Sequence, residues 1–235
     1  MQEYQYIKDN LDAVREDLEK LAAKQGRSVA TLVAVTKSAT DEEVLAFASL
    51  GVTDMAENRP QMLIQRQDLL AASGFTPRMH EIGNLQTNKV KSILQRTALI
   101  HSVGTDTLVE EIEKQAAKLN IKVPVLIEVN SGCEESKGGI YPVDAKAFAG
   151  WLKDFEHISL QGLMTMAPVV SDPEEERPYF TLTRRLFEEI GEKVGYDTQT
   201  PILSMGMSDS YRVAVEEGST LVRIGRRLFK NEKGE

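Results

Sequence analysis

Short apolar runs that alternate with amphipathic stretches constrain the possible folds of this chain more than any other feature. The runs read as strands over Thr31–Thr36, Gly51–Met55, Arg78–Ile82, Ala98–Ser102, Val123–Asn130, Ile158–Met164, Pro201–Ser204 and Thr220–Ile224. Candidate helices fall between them, near Asp41–Leu50, Arg59–Ala71, Thr87–Gln95, Asp106–Leu119, Asp144–Phe155, Pro173–Gly191 and Asp209–Glu217. The strands are almost continuously apolar, as expected where both faces of a sheet are covered. Alternation of strand and helix implies parallel pairing, in a barrel or an open doubly wound sheet. The reading adopted is α/β, a single (β/α)8 TIM-type barrel over 1–235 with an extra N-terminal helix over 3–25. In that helix Tyr4, Ile7, Leu11, Val14, Leu18 and Leu21 recur at steps of three and four, and Gly26 suits its stop. Thr40 and Asp41, Asp106, Asp144 and Asp172 are candidate caps.

The length of 235 residues fits a barrel of this kind as one unit. A net charge of −8 argues against a general nucleic-acid binder, which presents a basic face. No apolar run is long enough to cross a bilayer, and the opening residues lack the layout of a secretory signal. The single Cys133 cannot form an internal disulfide. A cytoplasmic location is therefore expected. Three scattered histidines and one cysteine show no metal-ligand spacing, so no metal is expected.

Barrels of this kind carry their chemistry at the carboxyl ends of the strands, with phosphates often bound after strands seven and eight. The first candidate strand runs straight into Lys37. The seventh runs into Ser204-Met205-Gly206-Met207-Ser208, and the eighth ends in Arg223-Ile224-Gly225-Arg226. A glycine between serines at a strand-to-helix turn offers backbone N–H groups and hydroxyls to an anion. Gly225 allows a second backbone segment to come close, and Arg226 adds positive charge. Across the mouth, an amine following an apolar strand suits attack on an aldehyde. Singly, a lysine is most often a surface charge and such a glycine a plain turn; the combination at three strand ends points to a phosphate-bearing ligand.

Several motifs resemble one family. They are Ala34-Val35-Thr36-Lys37, Glu57-Asn58-Arg59, His80-Glu81-Ile82-Gly83-Asn84-Leu85-Gln86-Thr87-Asn88-Lys89, Ile100-His101-Ser102-Val103, Glu128-Val129-Asn130 with Glu135-Ser136-Lys137, and Gly162-Leu163-Met164. Leu203 to Asp209 and Gly218 to Gly225 complete the set. From Leu32 to Phe229 the chain resembles the pyridoxal phosphate homeostasis proteins, whose fold is similar to the N-terminal domain of alanine racemase. The resemblance implies that Lys37 carries pyridoxal 5′-phosphate (PLP) as a Schiff base. It implies phosphate contacts from Ser204, Gly225 and the residue after it, and Arg223 beside the pyridine nitrogen. Asn58, Met205 and Ser208 join the expected cofactor-binding set, with His80 and Lys137 as possible secondary residues. An arginine stays protonated and would keep that nitrogen unprotonated, which weakens the ring as an electron sink.

Ala56, Pro60, Met62, Met79 and Arg226 depart from the family pattern, Arg226 replacing a usual threonine at the phosphate. Asn58 could instead cap the following helix, and Lys137 could belong to a mobile, solvated loop. His80 reads as a wall or structural histidine, because no carboxylate partner is evident near it. The expected role is a cofactor holder in vitamin B6 and amino-acid homeostasis, without robust catalysis, and a monomer that supplies PLP-dependent apoenzymes. The competing expectation is a racemase of the alanine racemase type. That chemistry needs a second proton donor, for which Tyr141 and Tyr211 are the nearest candidates.

Overall fold

The computed structural model describes residues 4–230. Eight parallel strands close into a barrel in the order β1 to β8, with β8 pairing back onto β1. In chain order the elements are α1 (Gln5–Gln25), β1 (Thr31–Val35), α2 (Asp41–Ser49), β2 (Asp54–Glu57), α3 (Pro60–Ala72) and β3 (Arg78–Glu81). After a 3-10 turn at Thr87–Lys89 come α4 (Val90–Ile93), β4 (Leu99–Val103), α5 (Asp106–Leu119), β5 (Val123–Val129), α6 (Ala145–Leu152) and β6 (Ile158–Thr165). A second 3-10 turn at Pro173–Glu176 leads into α7 (Arg177–Lys193), β7 (Ile202–Ser204), α8 (Tyr211–Glu216), β8 (Leu221–Ile224) and α9 (Arg226–Phe229). The barrel is thus the expected one. Residue 3 of the expected N-terminal helix lies outside the described residues.

Several boundaries move for identifiable reasons. β2 begins at Asp54 rather than Gly51 and runs to Glu57, because its register with β3 pairs Asp54 with Arg78 and Glu57 with Glu81. Gly51 instead takes a positive φ of 74° at the turn that ends α2. The expected helix over Thr87–Gln95 shortens to the 3-10 turn and α4. Thr40 forms a full capping box with Glu43, whereas the cap of α5 is Thr105, not Asp106. Asp144 occupies the cap position of α6 without a side-chain bond.

The apolar stripe of α1 is buried at Ile7, Leu11, Val14, Leu18 and Ala22. It packs into one core cluster with Phe47, Met55, Tyr211, Val222 and Leu228, so α1 seals the flank where the barrel closes. The Tyr211 hydroxyl donates to Asp17 on this helix. On the outer face of the barrel, the carboxyls of Glu57 and Glu81 sit on register-paired residues, both fully buried. Burial pushes the Glu81 carboxyl up to about 7; the Gly83 N–H opposes the rise and the Glu57 charge adds to it.

Replacing Leu11 by Ala should cost about 2–5 kcal/mol of unfolding free energy by removing a fully buried side chain. Chemical denaturation measures it, and a loss below about 1 kcal/mol would show that α1 is dispensable to the core. The raised Glu81 carboxyl binds its proton more tightly folded than unfolded, so stability should fall as pH rises from about 4.5 to about 7. Glu81→Gln should flatten that part of the stability–pH curve, and an unchanged slope would assign it to other groups.

Candidate functional site

The barrel mouth holds a cleft of about 610 Å³, within the range of small-molecule sites. Lys37, Asn58, Glu128, Lys137, Ser208, Arg223, Gly225 and Arg226 all line it. Six of the eight expected cofactor-binding residues therefore meet there, together with the secondary candidate Lys137. Ser204, Met205 and His80 do not lie on its wall.

Lys37 follows a firmly held strand end. The Thr36 N–H donates to the Ala56 carbonyl at 3.0 Å, and its hydroxyl donates to Glu57 Oε1 at 2.6 Å. Burial pushes Glu57 above the usual carboxylate range, although Thr36 and the positive charges of Arg66 and Lys37 resist the rise. Asn58 follows β2 directly. The cap position of α3 belongs to Arg59, and Pro60 opens the helix, so the alternative of Asn58 as that cap is set aside.

The facing wall comes from the loops after β7 and β8. Gly206 takes φ +91°, and a Cβ there would sit 2.5 Å from Ala214 Cβ, so only glycine fits this turn. The turn presents Ser208, whose Oγ accepts from the Gly225 N–H at 3.3 Å and the Arg227 N–H at 3.4 Å. Two backbone donors and a hydroxyl thus converge at one corner of the cleft. Gly225 is tight too: a Cβ would stand 3.1 Å from the Val35 carbonyl oxygen. The exposed Arg226 guanidinium pairs with Asp209 at 2.5 Å.

Arg223 projects inward from β8 and is buried. Its Nη1 donates to the Ser204 carbonyl at 2.9 Å and to Ser204 Oγ at 2.6 Å, and Nη2 donates to the Thr165 carbonyl at 3.0 Å. Burial lowers its pKa to about 10, with Glu128 pulling the other way, so the guanidinium stays charged at neutral pH. Ser204 is therefore engaged from beneath the cleft, and the Met205 side chain packs in the core.

Below Arg223 the barrel interior is polar. Ser204 Oγ lies 3.0 Å from His101 Nδ1, His101 Nε2 lies 2.9 Å from His80 Nδ1, and His80 Nε2 lies 3.0 Å from Asp54 Oδ1. His80 does have a carboxylate partner, contrary to expectation: Asp54 lies two residues before Ala56, the register partner of His80, and so shares the inward face with it. Burial pushes Asp54 up, but hydrogen bonds from His80 and Thr53 and nearby positive charge outweigh it and hold the carboxyl below its usual range. Burial keeps His101 well below the ordinary imidazole range, with His80 and Arg223 adding to the effect.

Lys137 sits in a loop that is organised rather than loose. The Asn130 amide donates to the Glu134 carbonyl at 2.9 Å and the Lys137 carbonyl at 3.3 Å, while its oxygen accepts from the Glu134 N–H. Lys137 Nζ pairs with Glu134 at 2.5 Å. Glu128, absent from the expected site set, lines the cleft; burial raises its carboxyl and the Arg223 charge restrains the rise. Its signal was a lone carboxylate in an otherwise apolar strand. Tyr211 turns toward α1, away from the cleft. Among the described residues, no cluster of three or more potential metal-ligating side chains occurs, and no helix is long and apolar enough to cross a membrane.

The family model for the N-terminal domain of alanine racemase matches residues 10–232. A pyridoxal phosphate homeostasis protein of Aquifex aeolicus is 39% identical, covering 96% of this chain and 98% of that one. The structure of PipY from Synechococcus elongatus with PLP bound superimposes with a TM-score of 0.77 at 27% identity, over 91% of this chain and all of PipY. Alanine racemase from Corynebacterium glutamicum gives a TM-score of 0.75 at 16% identity, over 98% of this chain and 62% of the racemase, a likeness of fold alone. The chain belongs to the pyridoxal phosphate homeostasis protein family, built on the alanine racemase N-terminal domain fold.

Proposed function

We propose that this protein binds PLP at the barrel mouth, carries it as a Schiff base on Lys37, and serves intracellular vitamin B6 and amino-acid homeostasis. The observation that carries the reading is the shared cleft: an amine at the end of β1, anion donors after β7 and β8, and a buried guanidinium beside them. The residues fit the cofactor. Ser208, Arg226 and the Gly225 N–H suit a phosphate, Gly225 leaving room where a side chain would crowd the Val35 backbone. Asn58 and Arg223 line the same cleft, and Arg223 is the residue we assign to the pyridine nitrogen. The relatives' names and the PLP-bound PipY structure support the assignment.

When bound, PLP supplies an aldehyde for reversible imine exchange with amines. The chain's own groups favour holding over turnover. Arg223 keeps its proton, so it would donate to a ring nitrogen without protonating it. Tyr211, a candidate second proton donor for racemisation, is tied to Asp17 behind the barrel wall. In this reading Ser204 takes a supporting part, its carbonyl and hydroxyl oxygens accepting from Arg223 beneath the cleft. We place the protein in the cytoplasm as a monomer that hands its cofactor to PLP-dependent apoenzymes, with Lys137 available at the rim for transfer.

Protein mixed with PLP should develop a violet-edge absorbance that borohydride abolishes, leaving a pyridoxyl label on the Lys37 peptide. Protein that stays colourless and unlabelled would refute the reading, and a label on Lys137 alone would move the site. Ser208→Ala removes one hydroxyl from the anion corner and should weaken PLP binding about tenfold, roughly one charge-assisted hydrogen bond. Equilibrium dialysis checks this, and unchanged affinity would exclude Ser208 from the phosphate site.

A further inference from the structure

The polar chain through the barrel joins groups on five strands: Asp54 on β2, His80 on β3, His101 on β4, Ser204 on β7 and Arg223 on β8. It runs from the first residue of β2 to the wall of the cleft, and each member is at most 4% exposed. Buried polar groups persist when every donor finds an acceptor. Here the two ends dictate the direction. Arg223 can only donate, and an ionised Asp54 can only accept.

Between those ends, one proton arrangement satisfies every link. Arg223 Nη1–H points to Ser204 Oγ, and the Ser204 O–H points to His101 Nδ1. His101 Nε2–H then points to His80 Nδ1, and His80 Nε2–H to Asp54 Oδ1. Both imidazoles are then neutral Nε2–H tautomers. If His80 carried two protons, His101 would have to donate to Ser204. Ser204 Oγ would then receive two donors, and its own buried proton would have no acceptor among the described residues.

We propose that Asp54, His80 and His101 are positioning residues, linked in a one-way hydrogen-bond chain that fixes the Arg223 guanidinium against the cofactor cleft. The chain gives Ser204 its orientation, and Ser204 with the Thr165 carbonyl leaves Arg223 no freedom to turn. A second effect is electrostatic. The negative end of the chain lies remote from the cleft, so Asp54 leaves the Arg223 charge to act there with Glu128 as the carboxyl coupled to it. Metal-bound histidines are oriented in the same manner by outer partners. The significance for PLP rests on the cofactor assignment above, whereas the chain itself is a property of the protein without ligand.

The test uses ligand-free protein labelled with nitrogen-15. Long-range proton–nitrogen correlations at neutral pH should show His80 and His101 as neutral Nε2–H tautomers, with slowly exchanging Arg223 guanidinium protons. His101→Phe should cut the chain, speed exchange at Arg223 and raise the PLP dissociation constant about tenfold, as expected for loss of one hydrogen bond to a charged group. His101→Gln, whose amide can donate to His80 and accept from Ser204, should restore most of both. A cationic or Nδ1–H imidazole in the wild type would overturn the proposal. So would a folded His101→Phe protein with unaltered Arg223 exchange. Should that variant fail to fold, the wild-type tautomers and the His101→Gln exchange rates decide. If the wild type takes up no PLP, the cofactor assignment falls by itself, and the imidazole and guanidinium signals still judge the chain.

Discussion

The pairing of β1 with β8 is the constraint on which the rest depends. It sets Leu32 opposite Val222, Val33 opposite Arg223 and Ala34 opposite Ile224. Residues 190 positions apart, by the numbering of those partners, thereby become neighbours. The strand ends that follow, Lys37 on one side and Gly225-Arg226 on the other, then face a common space. An open sheet with these elements would leave amine and anion donors on separate edges. Closure also removes the unpaired edges that would template aggregation, and α1 shields the flank where the seam forms.

Much of the fold was legible because its signals are local. Near-continuous apolar runs mark strands covered on both faces, and the stripe of α1 follows its helical period. Lys37, Arg223 and Gly225 were legible because barrel chemistry gathers at strand ends, so position alone made them candidates. What escaped reading depends on which way a side chain points. Ser204 and Ser208 flank the same turn, yet Ser204 faces the barrel interior and Ser208 the cleft. Asp54 lay inside the expected strand, but the register that brings its side chain to His80 on β3 is written in neither segment alone. With its carboxylate partner unseen, His80 looked solitary. Glu128 was overlooked because one carboxylate in an apolar run resembles a surface position until closure turns it inward.

The interior differs from the branched apolar layers usual in such barrels. Val33, Val35, Ala56 and Leu221 form one apolar patch and Leu99, Leu126 and Met164 another, while the histidine chain occupies the ground between them. Polar groups in that setting cost stability unless satisfied, and they tolerate few arrangements when they are. The core beneath the cleft thus trades apolar stabilisation for orientation. That exchange suits the proposed reading, in which the Arg223 guanidinium is held for one partner atom in the cleft.

Ser208 carries a consequence for the empty corner. Its oxygen accepts the N–H groups of Gly225 and Arg227, so neither backbone donor stands bare before a ligand arrives. The Ser208 O–H proton can turn toward an anion without breaking either contact. The hydroxyl is thus held in place in advance, and an incoming anion would meet a corner that has little left to rearrange.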